Sequence, residues 1–187
     1  MFFQHIYDRS LAQGSYLTGC QKTGESIVID PKRDVDTYID ITRQSSLRIT
    51  HVTETHIHAD FLSGSRELTA LTGAALYLSD EGEPDWQYKF DHIGLKNGDV
   101  ITIGNLTLVV IHTPGHTPGS ISLLLTDKPA SAQPVMLFTS DFVFVGDVGR
   151  PDLLEKAAGM AGTQEAGARQ MYESLKKFSA LPDYLQV

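Results

Sequence analysis

Residues 55–60 read Thr-His-Ile-His-Ala-Asp, two imidazoles and a carboxylate at alternate positions directly after the β-rich run Ile49 to Thr53. In an extended segment, residues two apart point to the same side. His56, His58 and Asp60 are therefore expected to face one point, the geometry a metal ion needs. A second cluster, His112-Thr113-Pro114-Gly115-His116-Thr117-Pro118-Gly119, follows another apolar strand, and its two Pro-Gly breaks set His116 on a stiff loop. A third, Phe138-Thr139-Ser140-Asp141, delivers a carboxylate directly after an apolar strand. Singly, each has a plainer reading: a solvated His-x-His pair, a turn, a helix cap. Three strand ends that all deliver imidazole or carboxylate are more than loop composition produces. The expectation is a metal site assembled from His56, His58, His116 and Asp141. The remaining four of the seven histidines, His5, His51, His92 and His112, read as surface or packing residues, with His112 a candidate to orient a ligand.

The elements that would carry these residues follow from periodicity and turn chemistry. Ser15 to Cys20 and Ser26 to Asp30 read as strands joined by a turn at Thr23-Gly24. Asp34 to Ser46 has helical spacing at Val35, Tyr38, Ile39 and Thr42, with Asp34 as its cap. Ser63 to Leu71 reads as a helix closed by Gly73. Ala74 to Leu78 is a strand, and Asp99 to Ile103 and Leu106 to His112 flank the hairpin signal Gly104-Asn105. Ser120 to Thr126 and Val135 to Thr139 are further strands. A helix from Gln164 to Phe178 carries an apolar stripe of Ala168, Met171, Tyr172, Leu175 and Phe178, with Lys176 and Lys177 near its C-terminal end, where the dipole favours them. The hairpins exclude an all-parallel doubly wound sheet and fit a mixed two-sheet sandwich with helices outside.

The bulk properties limit the partners. The 187 residues are one domain's worth. Fifteen basic residues against 23 acidic ones give a net charge of -8, which argues against nucleic acid or an anionic membrane as the main partner. The longest apolar stretches have strand length, far short of the ~20 residues of a spanning helix. One cysteine, Cys20, excludes an internal disulfide framework and reads as a buried, inert thiol in a reducing compartment. No secretory signal opens the chain, and a cytoplasmic location is expected. Tyr184-Leu185-Gln186-Val187 begins a strand with no turn or cap after it. Residues 1–187 are accordingly expected to be a single domain lacking its C-terminal segment, a fragment of a longer chain.

T-H-I-H-A-D, then H-T-P-G-H-T-P-G-S, then a strand ending in S-D, resemble the metallo-β-lactamase superfamily over essentially the whole chain. The resemblance implies an α/β (α+β) fold, an αββα sandwich of two mixed β-sheets with outer helices and a metal site at one edge. The run F-T-S-D-F-V-F-V-G-D-V-G-R-P-D-L-L looks like the persulfide dioxygenase (sulfur dioxygenase) branch. E-T-H-I-H-A-D-F-L-S-G is similar to members fused to rhodanese domains, so the intact protein could carry rhodanese domains downstream. Binuclear zinc hydrolases of the superfamily have a histidine where this chain has Phe61, and another after the strand that begins at Tyr184. One metal per chain is therefore expected.

By resemblance, that metal is Fe(2+) held by His56, His116 and Asp141, which are then also the catalytic residues. His58 and Asp60 orient the ligands, with His58 the alternative direct ligand. Arg150 binds an anionic thiol substrate, or forms a structural ion pair with Asp147 or Asp152. The implied reaction is oxidation of a low-molecular-weight thiol persulfide, such as glutathione persulfide, by O2 to sulfite and thiol. Two alternatives stay open: a Zn(2+)-dependent thioester hydrolase of the glyoxalase II kind, with zinc at His56, His58 and His116, and a catalytically incomplete metal-binding fragment. A homo-oligomer is compatible with all three.

Overall fold

The computed structural model describes residues 1–159 and 161–187. Strand β1 (Phe2–Asp8), β2 (Gln13–Cys20) and β3 (Glu25–Ile29) pair antiparallel in sequence order. Beyond β3 the sheet turns parallel, adding β4 (Arg48–Thr53), β5 (Ala75–Ser79) and β6 (Ile93–Leu95). The β3–β4 and β4–β5 crossovers contain α1 (Asp36–Gln44) and α2 (Ser65–Thr72), as parallel neighbours require. The second sheet is antiparallel, in the order β10 (Met136–Phe138), β9 (Ile121–Asp127), β8 (Leu106–His112), β7 (Val100–Ile103). A two-stranded ladder, β11 (Val143–Phe144) with β12 (Asp147–Val148), follows β10. Helices α3 (Leu153–Ala158) and α4 (Thr163–Phe178) complete the order.

Period-2 alternation builds the core between the sheets. Leu106, Leu108 and Val110 on β8 meet Ile121, Leu123 and Leu125 on β9 along one face, and Ile101 and Ile103 of β7 join them. From the first sheet, Ile27 and Ile29 enter this core, while Val28 between them faces the other way. On that outer face Val28, Val52, Leu76 and Leu78 pack against Val35 and Tyr38 of the α1 region and Leu68 of α2. The architecture is the expected αββα sandwich. Among the described residues, no helix is long and apolar enough to cross a membrane.

Local differences have physical causes. Helix α1 begins at Asp36, and Asp34 caps no backbone group; its carboxylate accepts the Thr37 hydroxyl at 2.8 Å. Helix α2 starts two residues later than expected and ends, as expected, at Gly73 with φ 70°. The buried face of α4 keeps only part of the expected apolar stripe: Met171 is buried and Leu175 and Phe178 half-buried, but Ala168 and Tyr172 are exposed, and buried Ser174 with half-buried Gly167 completes the face. Positions 167, 171, 174 and 178 form one helical face, and its small residues allow close approach. A Cβ on Gly167 would lie 2.8 Å from the Pro151 carbonyl oxygen, and one on Gly115 would lie 2.6 Å from Met171 Cα. Strands β1 and β6, the β11–β12 ladder and α3 carry too little periodicity to be read from the sequence. Cys20 is buried, and its sulfur accepts the Asn105 N–H at 3.3 Å beneath the β7–β8 hairpin. Gln186 pairs in parallel with Met136 at the β10 edge.

Candidate metal centre

Four segments meet at one edge of the sandwich, and each leaves the C-terminal end of a strand. Asp30 follows β3, residues 54–58 follow β4, residues 113–116 follow β8, and residues 139–141 follow β10. The β8 loop is closed on itself: Thr113 N–H donates to the Ser120 carbonyl at 2.9 Å, and the Thr117 and Ser120 hydroxyls lie 2.8 Å apart. Ser174 of α4 donates to the Pro114 carbonyl at 2.8 Å, bracing the loop from outside. Asp141 sits on a 3-10 turn, Ser140–Phe142, pinned by buried Phe142, whose ring meets Phe178 of α4 edge-on at 6.1 Å.

His56, His116 and Asp141 converge. Their ligand atoms all lie within 4.8 Å of one another. His56 Nε2 is 3.9 Å and His116 Nε2 3.4 Å from Asp141 Oδ2. Donors each ~2.0–2.2 Å from a shared ion stand roughly 3–4 Å apart, so the three residues fit one metal. Both imidazoles are buried, whereas the Asp141 side chain is 40% exposed. Burial, followed by the neighbouring His58 cation, holds His56 well below the ordinary histidine range. His116 is also pushed down by burial, against the pull of Asp141. Burial raises the Asp141 carboxyl, with His116 opposing. Neutral imidazoles are the form a metal requires.

His58 does not join this group. Its Nε2 lies 3.2 Å from Asp30 Oδ1 and 3.0 Å from Glu54 Oε2, carboxylates whose side chains are each only 3% exposed. Burial alone would push the imidazole down, but Asp30 and Glu54 outweigh it and hold His58 up at about 10. The alternation expected of His56, His58 and Asp60 fails because β4 ends at Thr53 and the segment beyond it is irregular, so side chains two apart diverge. Asp30 and Glu54 were not singled out from the sequence. Asp30 carried the same signal as Asp141, a carboxylate directly after an apolar strand, and nothing local distinguished Glu54.

Two cavities flank the carboxylate of Asp141. One, of about 300 Å³, is lined by His58, Asp60, Phe61, Tyr7 and Tyr16. The other, of about 330 Å³, is lined by Asp60, His116, Phe144, Gly149 and Arg150. Asp60 is exposed and borders both. Arg150 pairs in two-pronged fashion with Asp152, at 3.0 and 2.9 Å, and not with Asp147. Lys156 holds the same carboxylate at 2.7 Å.

The chain is 51% identical to a metallo-beta-lactamase from Staphylococcus aureus of known crystal structure, with a TM-score of 0.93 over 98% of this chain and 54% of that one. Hydroxyacylglutathione hydrolase of Rhodospirillum rubrum is 33% identical over 89% of this chain and 57% of its own length. The mitochondrial persulfide dioxygenase ETHE1 of Bos taurus is 29% identical over 97% of this chain and 65% of its own. The chain thus spans about three-fifths of these two curated relatives. The family model of the metallo-beta-lactamase superfamily matches residues 15–187. With the family model and its relatives in agreement, the chain belongs to the metallo-beta-lactamase superfamily, a family of metal-dependent enzymes, and has homologues in its persulfide dioxygenase branch.

Proposed function

We propose that the chain is a mononuclear non-haem iron persulfide dioxygenase whose metal ligands are His56, His116 and Asp141. The observation that carries this reading is the convergence of two imidazoles and one carboxylate: the ligand atoms of His56, His116 and Asp141 all lie within 4.8 Å of one another, while the ligand atom of His58 that is grouped with carboxylates meets Asp30 and Glu54. That donor set is the facial triad of non-haem Fe(II) oxygenases, and a bound iron supplies a redox-active ion with positions open to O2 and a soft sulfur anion. Phe61, apolar and with its ring centre 4.4 Å from that of His58, offers no donor for a second ion.

The overall change takes a thiol persulfide, O2 and water to the thiol and sulfurous acid. The terminal sulfur gives up four electrons, O2 accepts them, the S–S bond breaks, and water contributes the third oxygen. The chain's own residues bind and orient. The cavity beside Asp141 holds the substrate, Phe144 and Leu153 supply apolar wall, and Arg150 presents a cation to an anionic carrier thiol.

Similarity to the Rhodospirillum rubrum hydrolase favours a second reading, a zinc thioester hydrolase in which the metal lowers the pKa of a bound water. Metal content and persulfide-dependent O2 uptake of Asp141→Ala and His58→Ala separate the two. Under the iron reading, Asp141→Ala abolishes both, while His58→Ala costs ~10–100-fold. Metal lost in His58→Ala and retained in Asp141→Ala would move the chain to the hydrolases. Metal retained by a wild-type chain that turns over neither substrate class would make it a non-catalytic metal binder.

A further inference from the structure

The two cavities that flank Asp141 have three lining residues in common, Asp60, Asp141 and Phe144. Their remaining walls differ in chemistry. Arg150 and His116 line one of them. Among the described residues, no lysine or arginine lines the other, whose carboxylates are Asp60 and Asp141. Its wall is aromatic instead, with Tyr7, Tyr16, Phe61 and Phe144. Part of that wall is fixed by ring contacts: the Tyr16 ring centre lies 5.0 Å from those of both His5 and Phe138, and the Phe61 ring centre 4.4 Å from that of His58. Other parts stay in contact with water. Tyr7 is 54% and Phe144 47% exposed, and Val145 beside Phe144 is 98% exposed. Covering apolar surface of this kind is favourable roughly in proportion to its area.

We propose that the aromatic cavity is a second substrate subsite, which takes the uncharged aryl or alkyl arm of a carrier thiol whose sulfur lies at the metal position, while Arg150 serves anionic arms in the other cavity. The proposal rests on the function proposed above and adds to it a class of carrier. A carboxylate arm in the aromatic cavity meets Asp60 and no fixed cation, so Coulomb repulsion disfavours it. An uncharged arm meets rings. Small-molecule sites are mostly apolar with a few placed polar groups, and here the polar group is Asp141 itself. Size agrees as well. A cavity of roughly 150 Å³ holds a benzene ring, so about 300 Å³ takes a ring and the short chain that joins it to sulfur. The free thiol is the organic product of persulfide oxidation, and its affinity therefore reports recognition of the carrier without turnover.

The test is calorimetric titration of the zinc-loaded protein, whose metal is redox-inert, with two thiols. One is 2-phenylethanethiol, with an uncharged arm, and the other 3-mercaptopropionate, with a carboxylate arm. Tyr7→Ala is expected to weaken phenylethanethiol ~10-fold and leave mercaptopropionate unchanged. Arg150→Ala should do the reverse, and Tyr7→Phe, which keeps the ring, should bind both like the wild type. Phe61 lines only the aromatic cavity, so Phe61→Ala asks the same question from another part of the wall should circular dichroism show Tyr7→Ala unfolded. The two thiols should compete, because both place sulfur at one metal position. A wild type that does not bind phenylethanethiol overturns the proposal. So does phenylethanethiol affinity that survives in the folded Tyr7 and Phe61 variants but falls in Arg150→Ala, which puts the ring in the other cavity. Simultaneous binding of both thiols, or tighter binding of the ammonium thiol 2-aminoethanethiol than of phenylethanethiol, overturns it too. None of these outcomes touches the dioxygenase reading, which fails separately if the iron-loaded wild type shows no persulfide-dependent O2 uptake.

Discussion

The carboxylate of Asp30 accepts both the backbone N–H and the hydroxyl of Thr55, each at 2.7 Å, across 25 residues of sequence. The consequence reaches His56. Because the Thr55 hydroxyl gives its proton to Asp30, its oxygen can only accept from His56 Nδ1, 3.1 Å away. That fixes the tautomer that leaves the Nε2 lone pair free on the side of Asp141 Oδ2, 3.9 Å away, where the proposed metal would sit. The Thr55 carbonyl in turn accepts the Ile121 N–H of β9 at 2.8 Å, so one residue joins both sheets at the site.

Thr55→Val, which removes the hydroxyl and keeps the shape, is expected to strand Asp30 Oδ2 and cost ~1–3 kcal/mol of stability. Loss of the partner that orients His56 should lower metal affinity ~10–100-fold, and Thr55→Ser should restore most of it. Urea unfolding and metal titration read the two effects separately. A folded valine variant with wild-type affinity would refute the tautomer argument.

Gly115 precedes His116 with φ 145°, and a Cβ there would lie 2.6 Å from Met171 Cα on α4. Gly115→Ala is therefore expected to push α4 away from the β8 loop, cost at least ~2 kcal/mol and weaken metal retention. Gly98 also has a positive φ, 91°, but no atom lies within 4 Å of its added Cβ. Gly98→Ala should cost about 1 kcal/mol and leave metal content unchanged. Equal metal loss in both variants would show that the helix contact does not position His116.

Sequence patterns reached those parts of this architecture whose causes are local. The inward residues of β8 and β9 alternate so regularly that both strands could be read directly, as could the β7–β8 hairpin at Gly104-Asn105, and the strand-end placement of His56, His116 and Asp141 followed. Strand β1 escaped because it is an edge strand with several exposed residues, and β6 because three residues carry no period. The direction of His58 was misread for a different reason. Alternation is a property of strands, and beyond Thr53 the side chain is aimed by Asp30, 28 residues earlier, and by Glu54. Nothing in the spacing of Thr-His-Ile-His-Ala-Asp encodes that contact. Gly167 and Ser174 on the packed face of α4 were missed because close approach of backbones selects glycine and serine, which an apolar stripe does not reveal.

Arg150 is already paired with Asp152, yet its side chain is 62% exposed beside the Asp141 cavity. Lys156 still holds the Asp152 carboxylate when the guanidinium is removed, so Arg150→Ala should cost only about 1 kcal/mol of stability. If the guanidinium meets an anionic substrate, the same change should raise KM by ~10-fold with kcat nearly unaltered, the signature of lost uniform binding. Steady-state kinetics with a carboxylate-bearing and a neutral thiol persulfide decide it. An equal loss with both substrates would assign Arg150 a purely structural role.

His92 sets a pH dependence away from the metal site. Its Nδ1 lies 2.7 Å from the Phe90 carbonyl and its Nε2 3.0 Å from Asp80 Oδ1, so both ring nitrogens face acceptors. Only the imidazolium can donate to both. Burial lowers the His92 pKa, but the Phe90 carbonyl and Asp80, with Asp91 nearby, reverse the sign and raise it above the ordinary value. A raised folded-state pKa contributes stability that is fully present below the unfolded value of ~6.5 and is lost as pH rises through the folded value. The contact ties the end of β5 to the start of β6, so its loss should loosen residues 80–92 first. The stability difference between wild type and His92→Gln, from urea unfolding at a series of pH values, should be largest at pH 6 and shrink as the pH is raised. Taking the difference cancels the titration of His58 and the other histidines. A difference that stays constant from pH 6 to 9 would mean that His92 acts there by packing alone.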